Sequence, residues 1–405
     1  MYASLSYCLP VLSLASTVFA TPYEPTHIPE KRASASPLNV TSVEFIGNVT
    51  SNVYTARDLG FSGAIGNTTI LTYGDSFWGN DAGLVRNSWG IATDDPLTVV
   101  DNGLINGEPH QFVPWEAAWG ELNTEGMGIT TVLGVDDTNG IVFFYRLDTV
   151  TDNDPQNGAG VATVTLSADN SPVPNATRLA DYWWEAGTEP TYGDVAALKG
   201  NDDYFYAYGH YDGNAGVYLT KVPIDGATDL NQYQYWNGQS WQDDRLMNPS
   251  LNMSVGWEIN QGQVNWSNYY NCYVFIYVDN FADNLVQAMT STAPEGPWSE
   301  SVTVFKATPL QENNFIYAGI GHPQFDTSGK TLVITYTNPP NVVQAIKALT
   351  FDFICIAIVD VRAWNPAYTL DSNTLSMTLD DDDFDLKRDG KLNDGDGDGR
   401  RQELA

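Results

Sequence analysis

Two aspartates near the start of the chain have the residue type and spacing that acid–base chemistry requires. Asp58 lies in the run RDLGFSG at residues 57–63, and Asp75 lies in the run ILTYGDSFW at residues 70–78. Hydrolysis of a glycosidic bond needs two carboxyl groups: one protonates the departing oxygen, and the other acts as nucleophile or activates water. The surroundings must separate the two pKa values so that the acid keeps its proton. We therefore predict a catalytic pair at Asp58 and Asp75, the alternative for each being a turn-capping residue.

The residues around this pair favour sugar binding. Gly74 predicts a tight backbone turn directly before Asp75. Phe77 and Trp78 predict an aromatic wall on which a sugar ring stacks. Arg57 adjoins Asp58 and is a further candidate for substrate contact.

Four polar residues later in the chain are second-rank candidates for catalysis or substrate binding. Glu189, Asp194 and Glu258 each stand at the beginning of a polar segment beside Gly, Tyr or Trp, although acids at a strand entry also bind backbone amides. His322, in the run GHP, is a candidate for contact with a sugar hydroxyl or a central ion, and a structural histidine is the alternative. With four histidines and no metal-site, nucleophile-elbow or phosphate-loop motif, the chain predicts no metal site and no cofactor.

The elements that must position these residues are strands. Runs with the 3.6-residue period of an amphipathic helix are nearly absent, whereas short runs rich in Tyr, Val and Ile recur between turn clusters. The chain is therefore expected to be all-β. The predicted strands cover residues 69–73, 140–146, 162–166, 204–208, 216–222, 273–278, 285–290, 331–336 and 353–361.

A two-part unit returns about every 60 to 75 residues and favours a repeat architecture. Each unit begins with a polar segment and continues into apolar strands. Five such beginnings indicate a five-bladed β-propeller, in which the innermost strands converge on one axis and bring distant residues into one pocket. An irregular β-sandwich or two separate β domains is the alternative. The five beginnings are residues 57–60, 126–128, 189–194, 256–258 and 321–323.

The first unit resembles the opening of a known family. The runs RDLGFSG and YGDSFW, together with RNS at residues 86–88, are similar to the five-bladed propeller family called domain of unknown function family 4185, now glycoside hydrolase family 183. The resemblance is specific over residues 55–90 and general thereafter, while the predicted signal peptide and six sequons indicate a fungal secreted protein. Characterised members are endo-D-arabinanases, which cut α-linked D-arabinofuranose chains. The resemblance therefore implies an endo-arabinanase-like activity with its carboxyl pair at Asp58 and Asp75, and it leaves open which of the two is the acid.

A second comparison concerns the later acids. If the blades follow the arabinanase and xylosidase propellers of glycoside hydrolase family 43, whose three acids come from different blades, then Glu189 or Glu258 would supply the acid.

The N-terminal region predicts export. Residues 1–20 have the apolar stretch and the small-residue ending of a signal peptide. Residues 21–32 end in Lys31-Arg32, which resembles a fungal kexin-type processing site, and an exposed tail that contains this pair by chance is the alternative. We expect a secreted, extracellular glycoprotein with its catalytic domain at residues 33–379. The glycosylation sequons are at Asn39, Asn48, Asn67, Asn175, Asn252 and Asn265.

Composition limits the partners. A net charge of −32, from 50 acidic and 18 basic residues, argues against nucleic acid and anionic membrane. We expect a monomer that meets a polysaccharide or oligosaccharide. Residues 380–405 form an acidic tail that we expect to be disordered, and its half-matched calcium loop at residues 394–399 predicts at most weak calcium binding. A non-catalytic carbohydrate-binding propeller, a lectin or a cell-wall protein, is the alternative to an enzyme.

Overall fold

The chain folds mainly as antiparallel β-sheet in the residues that the computed structural model describes. These are residues 36–79, 83–121, 126–147, 156–167, 172–257, 259–278, 283–339 and 342–350. The predicted signal peptide, processing segment and acidic tail lie outside the described residues, as do Glu258 and the predicted strand at 353–361. No helix in these ranges has the length and apolar character that a membrane span requires.

Twenty-five strands and five single-turn 3₁₀ helices make up the described chain. The strands in the first half are β1 Val40–Asn48, β2 Thr50–Ser51, β3 Tyr54–Ile65, β4 Thr68–Trp78, β5 Gly83–Val85, β6 Ser88–Ala92, β7 Thr98–Val100, β8 Gly126–Gly134, β9 Asn139–Leu147, β10 Gln156–Leu166, β11 Pro174–Arg178 and β12 Trp184–Glu185. Those in the second half are β13 Ala196–Lys199, β14 Tyr204–Tyr211, β15 Asn214–Pro223, β16 Gln234–Trp236, β17 Trp241–Gln242, β18 Gly256–Trp257, β19 Gln261–Ser267, β20 Cys272–Val278, β21 Leu285–Ser291, β22 Val302–Lys306, β23 Tyr317–His322, β24 Thr331–Asn338 and β25 Val342–Thr350. The 3₁₀ helices are Ala117–Trp119, Ile224–Gly226, Leu230–Gln232, Leu251–Met253 and Pro323–Phe325.

The pairing of these strands forms antiparallel meanders, each with four principal strands. They are β3-β4-β6-β7, β8-β9-β10-β11, β13-β14-β15-β16, β19-β20-β21-β22 and β23-β24-β25-β1. The last meander takes its fourth strand from the beginning of the described chain, because β1 pairs with β25. The all-β prediction is thereby confirmed, and the predicted strands that fall within the described residues all lie in observed strands.

The first strands of the meanders contact one another in cyclic order. Residues of β3 and β8 pair in parallel, as do residues of β19 and β23. The Gly262 amide of β19 donates to the Val195 carbonyl, which directly precedes β13. The Thr130 hydroxyl of β8 donates to the Gly193 carbonyl in the same connection. Leu59 and Ile320 belong to one apolar cluster that joins β3 to β23.

Burial explains why these runs become strands. Every residue of β20, with the sequence CYVFIYV, is buried, as expected for a strand covered on both faces. The edge strand β11 instead alternates buried and exposed residues. Large aromatics fill the space between neighbouring sheets: the Trp184 ring is 5.2 Å from that of Tyr192 and 5.3 Å from that of Tyr233. Much of the aromatic content is therefore structural.

A buried amide joins two first strands that are not neighbours in the cyclic order. Gln263 of β19 accepts from the Ser62 amide of β3 at 3.1 Å, and its own Nε2 donates to the Ser62 carbonyl at 2.7 Å. The side chain is 1% exposed. Because Gln263 satisfies both backbone groups of Ser62, it completes the hydrogen bonding of β3 at this level.

Replacing this amide should destabilise the fold. Gln263→Ala leaves the Ser62 amide and carbonyl buried without partners, and each such group costs about 1–3 kcal/mol. We expect the free energy of unfolding to fall by about 2–4 kcal/mol in equilibrium urea denaturation. Gln239→Ala, at an exposed position, is the matched control and should change it by less than about 0.5 kcal/mol. Equal stabilities for the two variants would contradict the bridging role of Gln263.

Candidate active site

A bulge between β3 and β4 places the two predicted aspartates together. Arg57 faces Ser76 and Leu59 faces Tyr73, so the register leaves Asp58 opposite both Gly74 and Asp75. Bulges bend a strand and redirect its side chains, and they occur often beside active sites. Leu59 completes the distortion with a left-handed backbone at φ 68°. Its amide is held by the Thr337 hydroxyl at 2.9 Å.

Gly74 makes room for the Asp58 carboxyl. A Cβ atom at position 74 would come within 2.4 Å of Asp58 Oδ1, which no side chain tolerates. The expected tight turn at Gly74 is therefore wrong, because Gly74 lies inside strand β4 and its requirement is close packing. Oδ1 is buried and has no hydrogen-bond donor of ordinary geometry among the described residues. Oδ2 is consequently the oxygen through which Asp58 interacts with other groups.

Tyr317 of β23 holds that second oxygen. Its hydroxyl donates to Asp58 Oδ2 at 2.8 Å, across 259 residues of sequence. A register shift in β23 directly after Tyr317, with Ala318 in a left-handed backbone at φ 54°, matches the distortion after Asp58. Burial raises the pKa of Tyr317 well above its ordinary value, so the phenol remains a hydrogen-bond donor at physiological pH.

The environment changes the acidity of Asp58. Burial raises its pKa from 3.8 to about 7, the neighbouring Asp75 charge raises it further, and the Tyr317 hydrogen bond opposes both effects. Asp58 therefore carries a proton in mildly acidic solution and loses it near neutrality. A carboxyl group with this behaviour is suited to general acid catalysis.

Asp75 has the contrasting environment. Its side chain is 34% exposed, and Arg86 Nη1 lies 3.2 Å from its Oδ2. The guanidinium of Arg86 therefore lies directly beside the Asp75 carboxyl group. The residues after Arg86 fix it in place: the Asn87 side chain bonds the Val113 backbone, and Ser88 shares a hydrogen bond of 2.7 Å with Ser76.

Two further meanders contribute residues near the carboxyl pair: Tyr145 lies on β9 and Gln261 lies on β19. Gln261 Nε2 donates to the Tyr145 hydroxyl at 3.0 Å. Burial raises the pKa of Tyr145, and the charges of Asp194, Asp58 and Asp75 add to the effect. The Tyr145 phenol thus lies within electrostatic range of all three aspartates and stays protonated. The sequence patterns did not single out Tyr145, Gln261 or Tyr317, because each resembles an ordinary strand residue.

Two of the charged candidates, Arg57 and Glu189, are buried and form ion pairs. Arg57 donates to Asp101 at 2.9 Å and lies over the Tyr73 ring at 3.6 Å, with both charged side chains about 5% exposed or less. Glu189 accepts from Arg245 Nε at 2.7 Å. Arg57 therefore pairs with Asp101 and Glu189 pairs with Arg245, and neither Arg57 nor Glu189 forms a hydrogen bond with Asp58 or Asp75.

Asp194 and His210 form a second polar group beside Tyr145. Asp194 accepts from the Thr191 hydroxyl at 2.7 Å and lies 3.2 Å from His210 Nδ1, while His210 Nε2 is 2.6 Å from the Ile259 carbonyl. Burial lowers the pKa of His210, but the charge and hydrogen bond of Asp194, the Ile259 carbonyl and the Asp212 charge together outweigh it, so the pKa is raised. Two acceptors face the ring, which favours the imidazolium form.

The remaining predicted site residues lie away from the carboxyl pair or outside the described residues. His322 is buried at the end of β23, its Nε2 lies 2.8 Å from the Thr335 hydroxyl, and burial lowers its pKa to about 3. Trp78 ends β4 and its ring packs so closely on Gly83 that a Cβ there would lie 2.2 Å away. Glu258 lies outside the described residues.

The sequon asparagines differ in exposure. Five are exposed, and they are Asn39, Asn48, Asn67, Asn175 and Asn252. Asn265 is partly buried in β19, where its Nδ2 donates to the Gly321 carbonyl at 3.2 Å. Glycosylation remains a prediction at all six positions. Within the described ranges, no group of three or more His, Cys, Asp or Glu side chains is arranged to hold a metal ion.

Comparison with known proteins finds similarity in sequence and in fold. The family model described as "Domain of unknown function (DUF4185)" matches residues 162–344, which excludes the first unit. No curated protein sequence is significantly similar to this chain. A presumed hydrolase from Bacteroides ovatus is similar in structure, with a TM-score of 0.55 and 16% identity over 74% of this chain and 86% of that chain.

Two glycoside hydrolase structures resemble the chain more distantly. An exo-β-1,3-galactanase from Phanerochaete chrysosporium has a TM-score of 0.48 and 11% identity over 75% of this chain and 63% of that chain. An arabinanase from Bacillus subtilis has a TM-score of 0.44 and 9% identity over 72% of this chain and 94% of that chain. At these identities the likeness concerns the fold alone.

The unusual acidity of Asp58 has a consequence for stability. Above pH 7 its ionised carboxyl opposes folding by up to about 4 kcal/mol, since its pKa is 3.8 ordinarily and about 7 in the fold. The raised pKa means that this cost is absent below pH 4 and grows as pH rises to 7. Asp58→Asn should therefore stabilise the protein at pH 8 and much less at pH 4.

Thermal unfolding at the two pH values measures this difference. Asp244→Asn, at an exposed position, is the matched control and should show no comparable gain at pH 8. If Asp58→Asn gains no stability over this control at pH 8, the Asp58 carboxyl is not held in the environment described.

Proposed function

We propose that this protein is a secreted, five-bladed β-propeller glycoside hydrolase that cuts an extracellular polysaccharide containing arabinofuranose. The observation that carries the proposal is the pairing within one bulge: Asp58, partly buried, has its pKa raised to about 7, and Asp75, 34% exposed, pairs with Arg86. Two adjacent carboxyl groups in opposite protonation states are what glycosidic hydrolysis requires. The cyclic contacts of the first strands support the propeller and its five blades.

The roles of the two carboxyls follow from their surroundings. Asp58 is the general acid, and its Oδ2 delivers the proton to the departing glycosidic oxygen. Asp75 is the carboxylate that attacks the sugar or activates water on the opposite side. Tyr317 orients Oδ2 of Asp58, and Arg86 holds Asp75 by an ion pair. The pair thus works in the pH range in which Asp58 is protonated and Asp75 is not.

The acidity of Asp58 favours an enzyme over a lectin. A buried carboxyl whose pKa rises to about 7 destabilises the fold at neutral pH, and a sugar-binding surface has no need of it. Residues that cost stability collect where chemistry requires them. The arabinofuranose substrate class rests on the resemblance of residues 57–63 and 73–78 to family 183, and export rests on the N-terminal region.

Removing either carboxyl should abolish hydrolysis. Asp58→Asn and Asp75→Asn keep the shape of the side chains and remove the acid or the carboxylate, so we expect the rate to fall by about 10²- to 10⁴-fold. Purified protein is tested on arabinogalactan, linear arabinan, xylan and β-1,3-galactan by release of reducing ends. Asp244→Asn, at an exposed position, is the control and should retain hydrolysis, and thermal unfolding shows that each variant is folded.

Two results separate the proposals. Wild-type cleavage that both isosteric variants retain rejects the assignment of the pair. Binding to a polysaccharide without any cleavage by the wild type favours the lectin.

The pH dependence of the hydrolysis rate should reveal the effect of Tyr317 on the pKa of Asp58. Its hydrogen bond stabilises the ionised form of Asp58, so Tyr317→Phe raises the pKa of that carboxyl further above about 7. A general acid is active below its pKa, and the alkaline limb of the rate profile should therefore move to higher pH. Tyr270→Phe, at a buried tyrosine of another sheet, is the control and should leave the limb in place. An unchanged or lowered alkaline limb in Tyr317→Phe would contradict the orientation of Asp58 given above.

A further inference from the structure

Trp119 lies on the same edge of the sheets as the carboxyl pair. β4 reaches this edge near Asp75, and β8 begins there at Gly126, opposite the end of β9 at Leu147. The segment from 101 to 121 runs from the end of β7 toward the beginning of β8 and carries Trp119 in a single 3₁₀ turn. The two sheets meet at this edge, because a Cβ at Gly126 would lie 3.3 Å from the Arg86 side chain.

An ionic cluster holds the Trp119 ring. Arg178 Cζ lies 4.5 Å from the centre of that ring. Arg178 binds both oxygens of Glu121, at 2.6 and 2.8 Å, and both side chains are at most 1% exposed. Arg146 joins the cluster from the end of β9 through Asp181, at 2.8 Å. The guanidinium beneath the ring is therefore fixed from several sides.

The Trp119 ring is also accessible to solvent. Trp119 is 37% exposed, and Arg178 lies over one face of its ring. Among the Trp and Phe side chains that the structure describes, Trp119 and Phe45, the latter at 51% exposure, are the exposed ones. Phe45 lies on β1, the outermost strand of its sheet. An exposed tryptophan that is held rigidly is suited to a binding surface.

We propose that Trp119 is a sugar-stacking platform, on which a residue of the polysaccharide chain distant from the cleaved bond rests. This inference rests on the proposed function. It adds a binding path for the polysaccharide that extends from the carboxyl pair along the edge of the sheets. A sugar ring presents an apolar face of C–H groups that packs flat on an aromatic ring. Because the cluster already orders the tryptophan, binding does not have to immobilise it.

The test separates binding from cleavage. Affinity electrophoresis in gels that contain soluble arabinogalactan, linear arabinan, xylan or β-1,3-galactan measures binding without turnover. On the polysaccharide that retards the wild type, Trp119→Ala should weaken binding roughly 3- to 10-fold. Trp119→Phe keeps a flat ring and should retain most of the binding, whereas Trp119→Leu keeps apolar volume without the flat face and should behave as Trp119→Ala does. Phe45→Ala is the matched control and should bind as the wild type.

Turnover provides the second measurement. Hydrolysis of 4-nitrophenyl α-L- and α-D-arabinofuranosides, which carry a single sugar residue, should be equal in the wild type and Trp119→Ala. On the polymer, the KM of the variant should rise and its kcat should change little. Thermal unfolding confirms that each variant is folded.

The outcomes distinguish the two proposals. Binding that Trp119→Ala leaves unchanged overturns the platform and leaves the proposed function intact. Equal losses in Trp119→Leu and Trp119→Phe show that the flat ring is not what binds and also overturn it. A wild type that binds and cleaves none of the glycans overturns both.

Discussion

The hydrogen bond from Tyr317 to Asp58 depends on the closure of the whole sheet system. Asp58 lies on the first strand of the first meander, and Tyr317 lies on the first strand of the last, which is completed by β1 from the beginning of the chain. The two strands contact each other directly although the bonded residues are 259 positions apart in the sequence. Both carry a left-handed residue directly after the bonded side chain, a backbone conformation that costs about 1–2 kcal/mol in non-glycine residues. The apolar cluster of Leu59, Phe61, Ala318 and Ile320 packs these distorted segments together and offsets part of that cost.

Local and distant contacts contribute differently to the carboxyl pair. The proximity of Asp58 and Asp75 is local, since β3 and β4 form one hairpin and the bulge aligns the two residues. Arg86 is close in sequence as well, and it reaches Asp75 from the short strand β5 and its following turn. The difference in acidity is not local. It requires the burial that the later sheets provide, together with the hydroxyl of Tyr317.

This division explains what could be predicted from sequence. The alternation and composition of the strands determine β structure locally, so the strand at residues 273–278 and the juxtaposition of Asp58 with Asp75 could be predicted. Partners 259 residues apart leave no pattern in a single sequence, and Tyr317 could not be found in this way. The last repeat was also misplaced: Gly321 and His322 end β23, whereas the prediction put them at the beginning of a unit. A buried strand that carries Tyr-Ala-Gly-Ile-Gly-His has no alternation from which its start can be fixed.

The distribution of cations indicates why Asp58 differs from the other acids. The chain has 18 basic residues for 50 acidic ones, and the buried carboxylates Asp101, Glu121, Glu189 and Asp194 are each paired with an Arg or His side chain. Removing the cation from such a pair would leave a buried charge that costs several kcal/mol. The Asp58 side chain accepts a hydrogen bond from the neutral hydroxyl of Tyr317. The charge that acts on it is that of another carboxylate, Asp75, which raises its pKa. A fold that pairs its other buried acids with cations and leaves this one with a phenol keeps a proton on Asp58 near neutral pH, where a hydrolytic acid needs it.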